Sequence, residues 1–520
     1  MTTDSGGIFR ASVLCSICAF LLAGLFAVRN LSSWPARITY PDDESYEGVA
    51  LAEMIHLREG IPIYAGDAKE GFDAATYGPL YYLSGQLLVN PANPSYLPLR
   101  LLSAVAILGC AAGCGLLAFW LTRSRLAACL SPIVFLSYGM ASDHGVAALS
   151  DSVALFLSFA GFLVAYRFRN SRAILFAAPL MVLGFYYKPQ YVAGSLAVLL
   201  FLVLEKRYRH AIEFAGLLAV CGLGGFALFQ WIVFAGQAFW QHLLLYQTAL
   251  LAWDMVWKAL FALVIVLLLP LILAVAYLRE EPNRLISCYL LVAVVLGLLT
   301  YCKQAGGIHY FFESVLIVSV LVPALLAKRR VAPVCPLDLV LLLGVMLFAG
   351  QWLTRRPPQR SDIAKYDAMQ SFLRERFPAR AASLSIGPGD LLQAGLETPF
   401  SGLFQLAQLC RRGIVSDHDL VTQIQNRHFA VIVLPFDVSH ERDPYLQKFY
   451  TPAILRTIET GYEIDKNLEM PTPLKEGVRD RFYIYVPKAN GTVSATSSPE
   501  GPTNASSADA QHTASVWREK

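Results

Sequence analysis

The clearest shortage in this 520-residue sequence is of charge. Asp, Glu, Lys and Arg make up only 15% of the residues, whereas 56% are hydrophobic, and the mean hydropathy is +0.49. Soluble domains carry about a quarter charged residues, so this composition excludes a soluble enzyme and indicates a polytopic membrane protein. The net charge of +4 is not gathered into a basic patch, which gives no reason to expect a nucleic-acid partner.

The carboxy-terminal region also lacks the cysteines that a disulfide framework needs and the glycine spacing that a nucleotide-binding loop needs. Nine of the ten cysteines lie in or beside apolar segments, and only Cys410 falls in the carboxy-terminal region, so no disulfide framework can form there. The turn Gly387-Pro388-Gly389-Asp390 lacks the spacing of a dinucleotide or P-loop fingerprint. A plain strand-to-helix turn is therefore preferred to a phosphate cradle.

What the chain has in abundance is long apolar runs. Eleven are long enough to cross about 30 Å of hydrocarbon. They cover residues 8–28, 98–121, 126–141, 149–166, 173–188, 190–204, 211–234, 257–278, 284–301, 309–327 and 336–353. Arg10 precedes no small-residue cleavage site, so the first run is expected to be a retained span.

The orientation of the spans follows from their connecting loops. Thirteen Lys and Arg residues lie in one set of connections and three in the alternate set, which makes the first set cytoplasmic. The three are Lys188, Lys258 and Lys303. The loop 29–97 and everything after about residue 354 are therefore expected outside the cytoplasm.

The pattern predicts three parts: a membrane domain over 1–354, an external region over 355–487, and a disordered tail over 488–520 that has too few large apolar residues to fold. In the external region helix-like and strand-like pieces alternate, which predicts a small α/β domain. The predicted helices are 362–376, 417–426 and 445–459, and the predicted strands are 382–387, 430–434, 461–466 and 481–486.

The first external loop is unusually acidic, with nine acidic and four basic residues between positions 29 and 73. Three consecutive acids, Asp42, Asp43 and Glu44, stand just beyond the first span. Carboxylates beside a bilayer tend to bind a cation, take a proton or cap a helix. Apolar residues then recur at helical spacing from Tyr46 to Leu57, which predicts an amphipathic helix on the membrane that ends at Gly60.

Two motifs carry a resemblance to a known family. Pro41-Asp42-Asp43-Glu44-Ser45-Tyr46 and Tyr77-Gly78-Pro79-Leu80-Tyr81-Tyr82, with many spans and an external carboxy-terminal region, resemble the GT-C membrane glycosyltransferases. Within these, the similarity is to the protein-mannosyltransferase and aminoarabinose-transferase branch, families 39 and 83. The resemblance implies a GT-C fold with about eleven transmembrane helices in a bacterial inner membrane.

The same resemblance implies an activity. Members move a sugar, with inversion, from a polyprenyl-phosphate carrier to a lipid, glycan or protein acceptor on the external face, within the membrane lipids and without a metal or other cofactor. Asp43 matches the first-loop catalytic aspartate, Glu44 is the second acid beside it, and Asp151 matches the second-loop acid. The extra acid Asp42 leaves open which of Asp42 and Asp43 is the base.

The chemistry asks for the same residue types. A phosphate monoester has a second pKa of about 6 and leaves without an acid, so the reaction needs a base for the acceptor hydroxyl and positive charge for the phosphate. Lysine is a compact charge for phosphate. The predicted binding residues are Lys188 and Lys303, with Tyr46, Tyr77, Tyr81, His309, Tyr310 and Glu313 as further contacts to the carrier or sugar.

The residues alone leave other interpretations open. Asp42 can be a helix N-cap with Asp43 and Glu44 as first-turn acids, the two lysines can extend to the membrane surface, and Asp143 and His144 are expected in a solvated turn. Asp42, Asp43 and Asp151 could together bind a divalent metal, although no histidine joins them in the sequence.

Two other classes of function also remain. The first is a transporter or flippase, but coupled carriers place ionisable residues near mid-membrane and often repeat their halves. Here the acids gather at one external surface, and we find no repeat. The second is a scaffold, which would leave the carboxylates and lysines without a shared cavity.

Overall fold

A computed structural model describes residues 5–41, 46–65, 69, 71–246, 251–303, 306–328, 359–438, 446–469 and 481–489. The helices of the amino-terminal two thirds are α1 Ser5–Thr39, α2 Glu47–Glu59, α3 Pro79–Gly85, α4 Leu97–Thr122, α5 Arg125–Ser137, α6 Gly139–Ser142, α7 Asp151–Arg167, α8 Ala177–Tyr187, α9 Ala193–Leu204, α10 Tyr208–Leu228, α11 Phe239–Leu244, α12 Trp253–Ala262, α13 Leu268–Glu280, α14 Arg284–Tyr301 and α15 Phe312–Lys328. The carboxy-terminal region, which is called the external region after its predicted location, has α16 Arg360–Arg376, β1 Ser383–Ser385, α17 Pro388–Gln393, α18 Leu403–Arg411, α19 His418–Gln425, β2 Val431–Leu434, α20 Leu446–Phe449, α21 Pro452–Gly461, β3 Tyr462–Glu469 and β4 Arg481–Pro487.

The apolar runs fold into helices, as predicted. Among the described residues, five helices are long and apolar enough to cross a membrane: Leu97–Thr122, Tyr208–Val233, Trp253–Glu280, Arg284–Tyr301 and Ile308–Lys328. Three shorter apolar helices accompany them, at Arg125–Ser137, Arg172–Tyr187 and Ala193–Leu204. The run 336–353 lies outside the described residues, so the number of eleven spans stays a prediction.

Small residues allow two of these helices to approach closely. A Cβ atom on Gly109 would lie 2.6 Å from the Phe156 ring, and one on Gly113 would lie 2.7 Å from the Phe159 ring. Both glycines are on α4 and both rings are on α7, so a Gly-x-x-x-Gly face receives two phenyl rings. The contact holds α7, which begins at Asp151, against the centre of the bundle.

Helix α2 differs from the one-sided helix that its sequence predicts. It ends at Gly60, whose φ is 84°, as expected of a helix-terminating glycine. All residues of Glu47–His56 are buried, however, because α3 packs on one side and α17 of the external region on another. The pattern could not reveal the second contact, since α17 comes from a distant part of the chain.

The external region contains a mixed four-stranded sheet in the order β1-β2-β4-β3. Strands β1 and β2 are parallel, with Leu384 opposite Ile432, and the other neighbours are antiparallel. The predicted strands and the first two predicted helices are present at nearly the expected positions. The predicted helix 445–459 is instead split into α20 and α21, because Thr451 caps a new helix that starts with Pro452. Helix α18 was not predicted.

Backbone hydrogen bonds join the first loop to the external region. Phe72 N–H donates to Pro399 O at 2.8 Å, and Ser401 N–H donates to Phe72 O at 3.0 Å. The described residues up to Pro487 form one compact unit. The proposed division at residue 354 and the tail after 488 stay predictions.

Candidate functional site

The centre of the candidate site is an ion pair at the start of α7. Lys188 Nζ lies 2.8 Å from both carboxylate oxygens of Asp151, and Tyr191 Oη donates to Asp151 Oδ1 at 2.9 Å. Asp151 is only 1% exposed, so these hydrogen bonds replace the water that would otherwise solvate its carboxylate. Sequence reasoning named Asp151 and Lys188 separately, and the structure brings them together. We call Asp151, Lys188, Tyr191, Tyr77 and Tyr310 the lysine site.

Two aromatic rings flank the ammonium group of this site. Lys188 Nζ lies 5.4 Å from the Tyr77 ring centroid and 5.9 Å from that of Tyr310, within cation–π range. Gly78 explains how Tyr77 gets there, because its N–H donates to Tyr187 O at 3.0 Å and a Cβ atom would lie 2.0 Å from Tyr186 O. Burial and the Asp151 carboxylate raise the pKa of Tyr77 well above its usual range, so the phenol stays neutral.

Two histidines extend this group of side chains. The His309 ring lies 4.5 Å from the Tyr310 ring and 4.9 Å from the His144 ring. His144 comes from the loop before α7, where a solvated turn was expected. Asp143 is 5% exposed, so the expectation is wrong for that residue, whereas His144 is half-buried with its ring against His309. The reason is that Arg37 of α1 covers the turn, with Nη1 3.1 Å from Asp143 Oδ1.

The acids Asp42, Asp43 and Glu44 lie outside the described residues, but both flanks of the motif are held by a second buried ion pair. Arg100 Nε donates to Glu47 Oε1 at 2.8 Å, and its Nη1 donates to the carbonyls of Arg37 and Tyr40. Glu47 also accepts from the backbone N–H of Ala148. The pair therefore ties the chain before the acid motif to the loop before Asp151.

Sequence reasoning missed Arg100, Glu47 and Tyr191. A signal for Arg100 was present, since it is the one charged residue within the predicted span 98–121, and an ionisable residue in a span usually has a partner and a role. Glu47 and Tyr191 carried no comparable signal, because a glutamate in a polar loop and a tyrosine at a helix end are common.

Tyr46 and Tyr81 take different positions from each other. Tyr46 is exposed, has a left-handed backbone with φ 49° and lies 6.4 Å from the Phe404 ring of α18. Tyr81 is buried, and its hydroxyl donates to Ala148 O at 2.6 Å. The predicted binding residue Tyr81 thus supports the loop before Asp151 from behind, whereas Tyr46 faces the external region.

Lys303 and Glu313 are not brought into the lysine site. Lys303 pairs with Leu251 through a short backbone bridge, and no ion pair joins it to Asp151 in the part of the chain that the structure describes. Glu313 is buried in the bundle, where Tyr289 Oη donates to its Oε1 at 3.3 Å and the N–H groups of Ala193 and Gly194 lie within reach. The start of α9 is a favourable place for a carboxylate.

The external region contacts the acid motif directly. Gln393 Nε2 donates to Pro41 O at 2.7 Å, and Tyr366 Oη donates to Gln393 Oε1 at 2.6 Å. The nearby Gly389 lies so close to α2 that a Cβ atom would be 2.7 Å from Gly48 Cα. The segment 387–390 connects β1 to α17, as expected of a strand-to-helix turn, and α17 contacts the first loop.

A separate group of titratable side chains lies at the other end of α2. We call Glu53, His56, Asp73 and Ser401 the junction cluster, because Ser401 belongs to the external region. His56 Nδ1 lies 2.9 Å from Asp73 Oδ2, and Ser401 Oγ donates to Asp73 Oδ1 at 2.6 Å. Glu53 Oε1 accepts from Ala75 N–H at 2.7 Å.

Burial and charge change the acidity of the junction cluster. Burial, and then the nearby Asp73 carboxylate, raise the pKa of Glu53 from 4.5 to about 8, so it is protonated at neutral pH. For His56, burial favours the neutral ring, but Asp73 outweighs it and the pKa of His56 is raised.

The described residues contain no group of three or more His, Cys, Asp and Glu side chains placed to hold a metal ion. Asp42 and Asp43 lie outside the described residues, so the metal-independent transfer that the resemblance implies stays a prediction.

The bundle, the long first loop and the α/β region together form a polytopic membrane protein. Two solved structures show that its fold is the GT-C fold. The crystal structure of ArnT from Cupriavidus metallidurans in the apo state aligns with a TM-score of 0.56 and 10% identity, covering 89% of this chain and 97% of that one. The structure of the same protein bound to undecaprenyl phosphate aligns with a TM-score of 0.56 and 12% identity, covering 92% and 99%. These identities show the fold alone, and they confirm the predicted GT-C fold.

A further structure aligns less well. The archaeal oligosaccharyltransferase AglB from Archaeoglobus fulgidus, in complex with an inhibitory peptide and a dolichol-phosphate, has a TM-score of 0.43 and 11% identity over 90% of this chain and 74% of that one. A score this low does not establish a shared fold. No protein-family profile and no curated protein matches the sequence.

Proposed function

We propose that this chain is a glycosyltransferase that moves a sugar from a polyprenyl-phosphate carrier to an acceptor on the external face of the membrane. One observation carries the proposal: within a GT-C fold, Lys188 is held by the buried Asp151 between the rings of Tyr77 and Tyr310. An ammonium with fixed position beside aromatic rings suits a phosphate and the sugar attached to it. The ArnT structure with undecaprenyl phosphate bound supports this kind of carrier.

The proposed reaction is a single displacement. Asp43, with Asp42 and Glu44 beside it, takes the proton from the acceptor hydroxyl, and the hydroxyl oxygen forms a bond to the anomeric carbon. The bond from that carbon to the phosphate oxygen breaks, and its electron pair stays on the polyprenyl phosphate. Attack from the opposite face inverts the anomeric carbon.

Asp151 has a different task from the base in this proposal. Its oxygens already accept from Lys188 and Tyr191, which makes it a weak proton acceptor. It is therefore the residue that fixes Lys188, and Lys188 neutralises charge on the departing phosphate. Tyr310 lies beside the Lys188 ammonium and His309 packs against Tyr310, and both are proposed to contact the carrier phosphate or the sugar. The transferred sugar is a hexose or a pentose.

The test is sugar transfer from a panel of radiolabelled polyprenyl-phosphate sugars by membranes that contain the full chain. Transfer by Asp43→Asn should fall by at least about 100-fold, the usual contribution of a general base. Asp151→Asn should also lose most transfer. Asp254→Asn is the matched control, because Asp254 is exposed and lies far along the chain from the motifs.

The outcomes separate the parts of the proposal. A fully active Asp43→Asn protein would remove the base assignment while leaving the transfer reaction. A wild type that consumes no donor would reject the glycosyltransferase function, and movement of intact donor across vesicles would then favour a flippase.

A further inference from the structure

A cavity of about 620 Å³ lies at the junction between α2 and the external region, away from the lysine site. The C-terminal end of α2, residues near 91–94 and the segment 392–399 line it. This volume is within the range of about 300–1,000 Å³ found for small-molecule sites. The cavity is separate from the proposed reaction centre, because neither Asp151 nor Lys188 lines it.

One buried side chain offers an unused polar atom to this cavity. His56 lines the cavity and is 7% exposed, and its Nδ1–H donates to the Asp73 carboxylate. Its other nitrogen, Nε2, makes no hydrogen bond to any of the residues that the structure describes. The Asp73 contact fixes the ring, as in carboxylate-oriented histidines that present the opposite nitrogen to a ligand.

The rest of the lining mixes charged and apolar groups. At the rim, Arg380 Nε donates to Glu397 Oε1 at 2.6 Å, and Glu59 Oε2 lies 4.0 Å from Arg380 Nη2. Ile61, which is 45% exposed, lines the cavity with apolar surface. Two carboxylates would repel a phosphate, and an amine would find both of them already facing a guanidinium. A ligand whose groups both donate and accept can use all of these side chains.

We propose that this cavity binds a saccharide unit. Sugar hydroxyls donate to Glu59 and Glu397 and accept from Arg380. His56 Nε2 accepts from a hydroxyl when the ring is neutral and donates to one when the ring is protonated, while the C–H face of the sugar covers the aliphatic side chain of Ile61. If the chain is a glycosyltransferase, as proposed above, this saccharide is part of the acceptor, which makes the acceptor a glycan or glycolipid. The binding itself does not depend on that proposal.

Saturation-transfer difference NMR on the full chain in nanodiscs tests the binding without any carrier lipid. The probes are methyl glycosides of glucose, galactose, mannose, glucosamine and N-acetylglucosamine. At least one should receive saturation, and Ile61→Trp, which places a large ring at a cavity-lining residue that is 45% exposed, should weaken the signal by about tenfold. Glu59→Gln changes only a rim group and should weaken it by several-fold, as expected for one charged hydrogen bond. Ile414→Trp places the same ring elsewhere in the external region, at a residue that is 39% exposed, and should change nothing.

Two results would overturn the inference: no saturation transfer to any of the five glycosides, or equal signals in wild type and Ile61→Trp. The link to the acceptor is tested separately in the sugar-transfer assay. Ile61→Trp should raise the KM for the acceptor and leave the KM for the donor unchanged. An active enzyme whose acceptor KM is unaffected rejects the acceptor role alone, whereas failure of transfer in the wild type leaves a saccharide site on a protein of another function.

Discussion

The lysine site and the junction cluster balance buried carboxylates in opposite ways. At the lysine site one carboxylate, Asp151, meets one ammonium and one phenol. At the junction cluster two carboxylates, Glu53 and Asp73, meet one imidazole, so one of them must take up a proton. The comparison teaches that burial alone does not determine whether a buried carboxyl group is ionised. The number of cationic groups beside it decides whether it keeps its negative charge.

The largest expected effect comes from breaking the balance at the lysine site. Lys188→Met leaves the Asp151 charge buried without its cation and should destabilise the protein by about 3–5 kcal/mol. The double variant Asp151→Asn with Lys188→Met removes both charges and should recover most of that loss. Unfolding of the purified full chain in detergent measures both. A double variant as unstable as Lys188→Met would show that the pair is not the cause.

A second change breaks the packing at the start of α2, at the opposite end of that helix from the junction cluster. Gly389→Ala would place a Cβ atom 2.7 Å from the backbone Cα of Gly48 and should cost about 1–3 kcal/mol. Gly387→Ala is the matched control, because the nearest atom to its Cβ would be 3.6 Å away. Thermal unfolding and limited proteolysis of the full chain report the effect. Equal stability of the two variants would mean that α2 and α17 separate at little cost.

A change of pH sharpens the comparison. The pKa values of Glu53 and His56 are both raised in the folded chain, so the stability that these groups contribute is fully present below their ordinary values and is lost as the pH rises through the folded values. Amide exchange of residues 47–59 and 399–402, corrected for intrinsic rates, should therefore increase between about pH 5 and pH 8. Glu53→Gln, a neutral isostere, should remove much of this increase. A flat profile in the wild type would contradict the protonated state of Glu53.

The smallest effect is expected at an exposed pair, which gives the baseline for both buried clusters. Lys258 Nζ lies 3.3 Å from Asp254 Oδ2, and both side chains are more than half exposed. Lys258→Gln should change the free energy of unfolding by less than about 0.5 kcal/mol. A loss comparable with that of Lys188→Met would show that burial is not what distinguishes the lysine site.

Local patterns predicted most of the individual elements. The apolar runs became helices, Gly60 ended α2, and the strands of the external region lie where β-rich pieces were expected. Lys188 was singled out as a rare cation at the end of a predicted span and Asp151 as the match to the second-loop acid of the resembled family, and they proved to be partners. A rare charge beside an apolar segment is informative because it is costly unless it is paired.

Contacts between distant parts of the chain could not be predicted in this way. The burial of α2 on a second side, the pairing of Asp143 with Arg37 and the support of Ala148 by Glu47 all depend on residues far apart in sequence. A periodic pattern records which face of a helix is apolar, but it does not record how many neighbours cover that helix.

The hydrogen bonds from the external region to the first loop also set an order of assembly. The carbonyl of Pro41 receives its bond from Gln393, and the backbone of Phe72 pairs with residues 399 and 401. During synthesis, these early segments leave the ribosome long before their partners exist. The acid motif can therefore reach its final surroundings only after the last third of the polypeptide has been made and folded, so an incomplete chain would hold the acids without the frame around them.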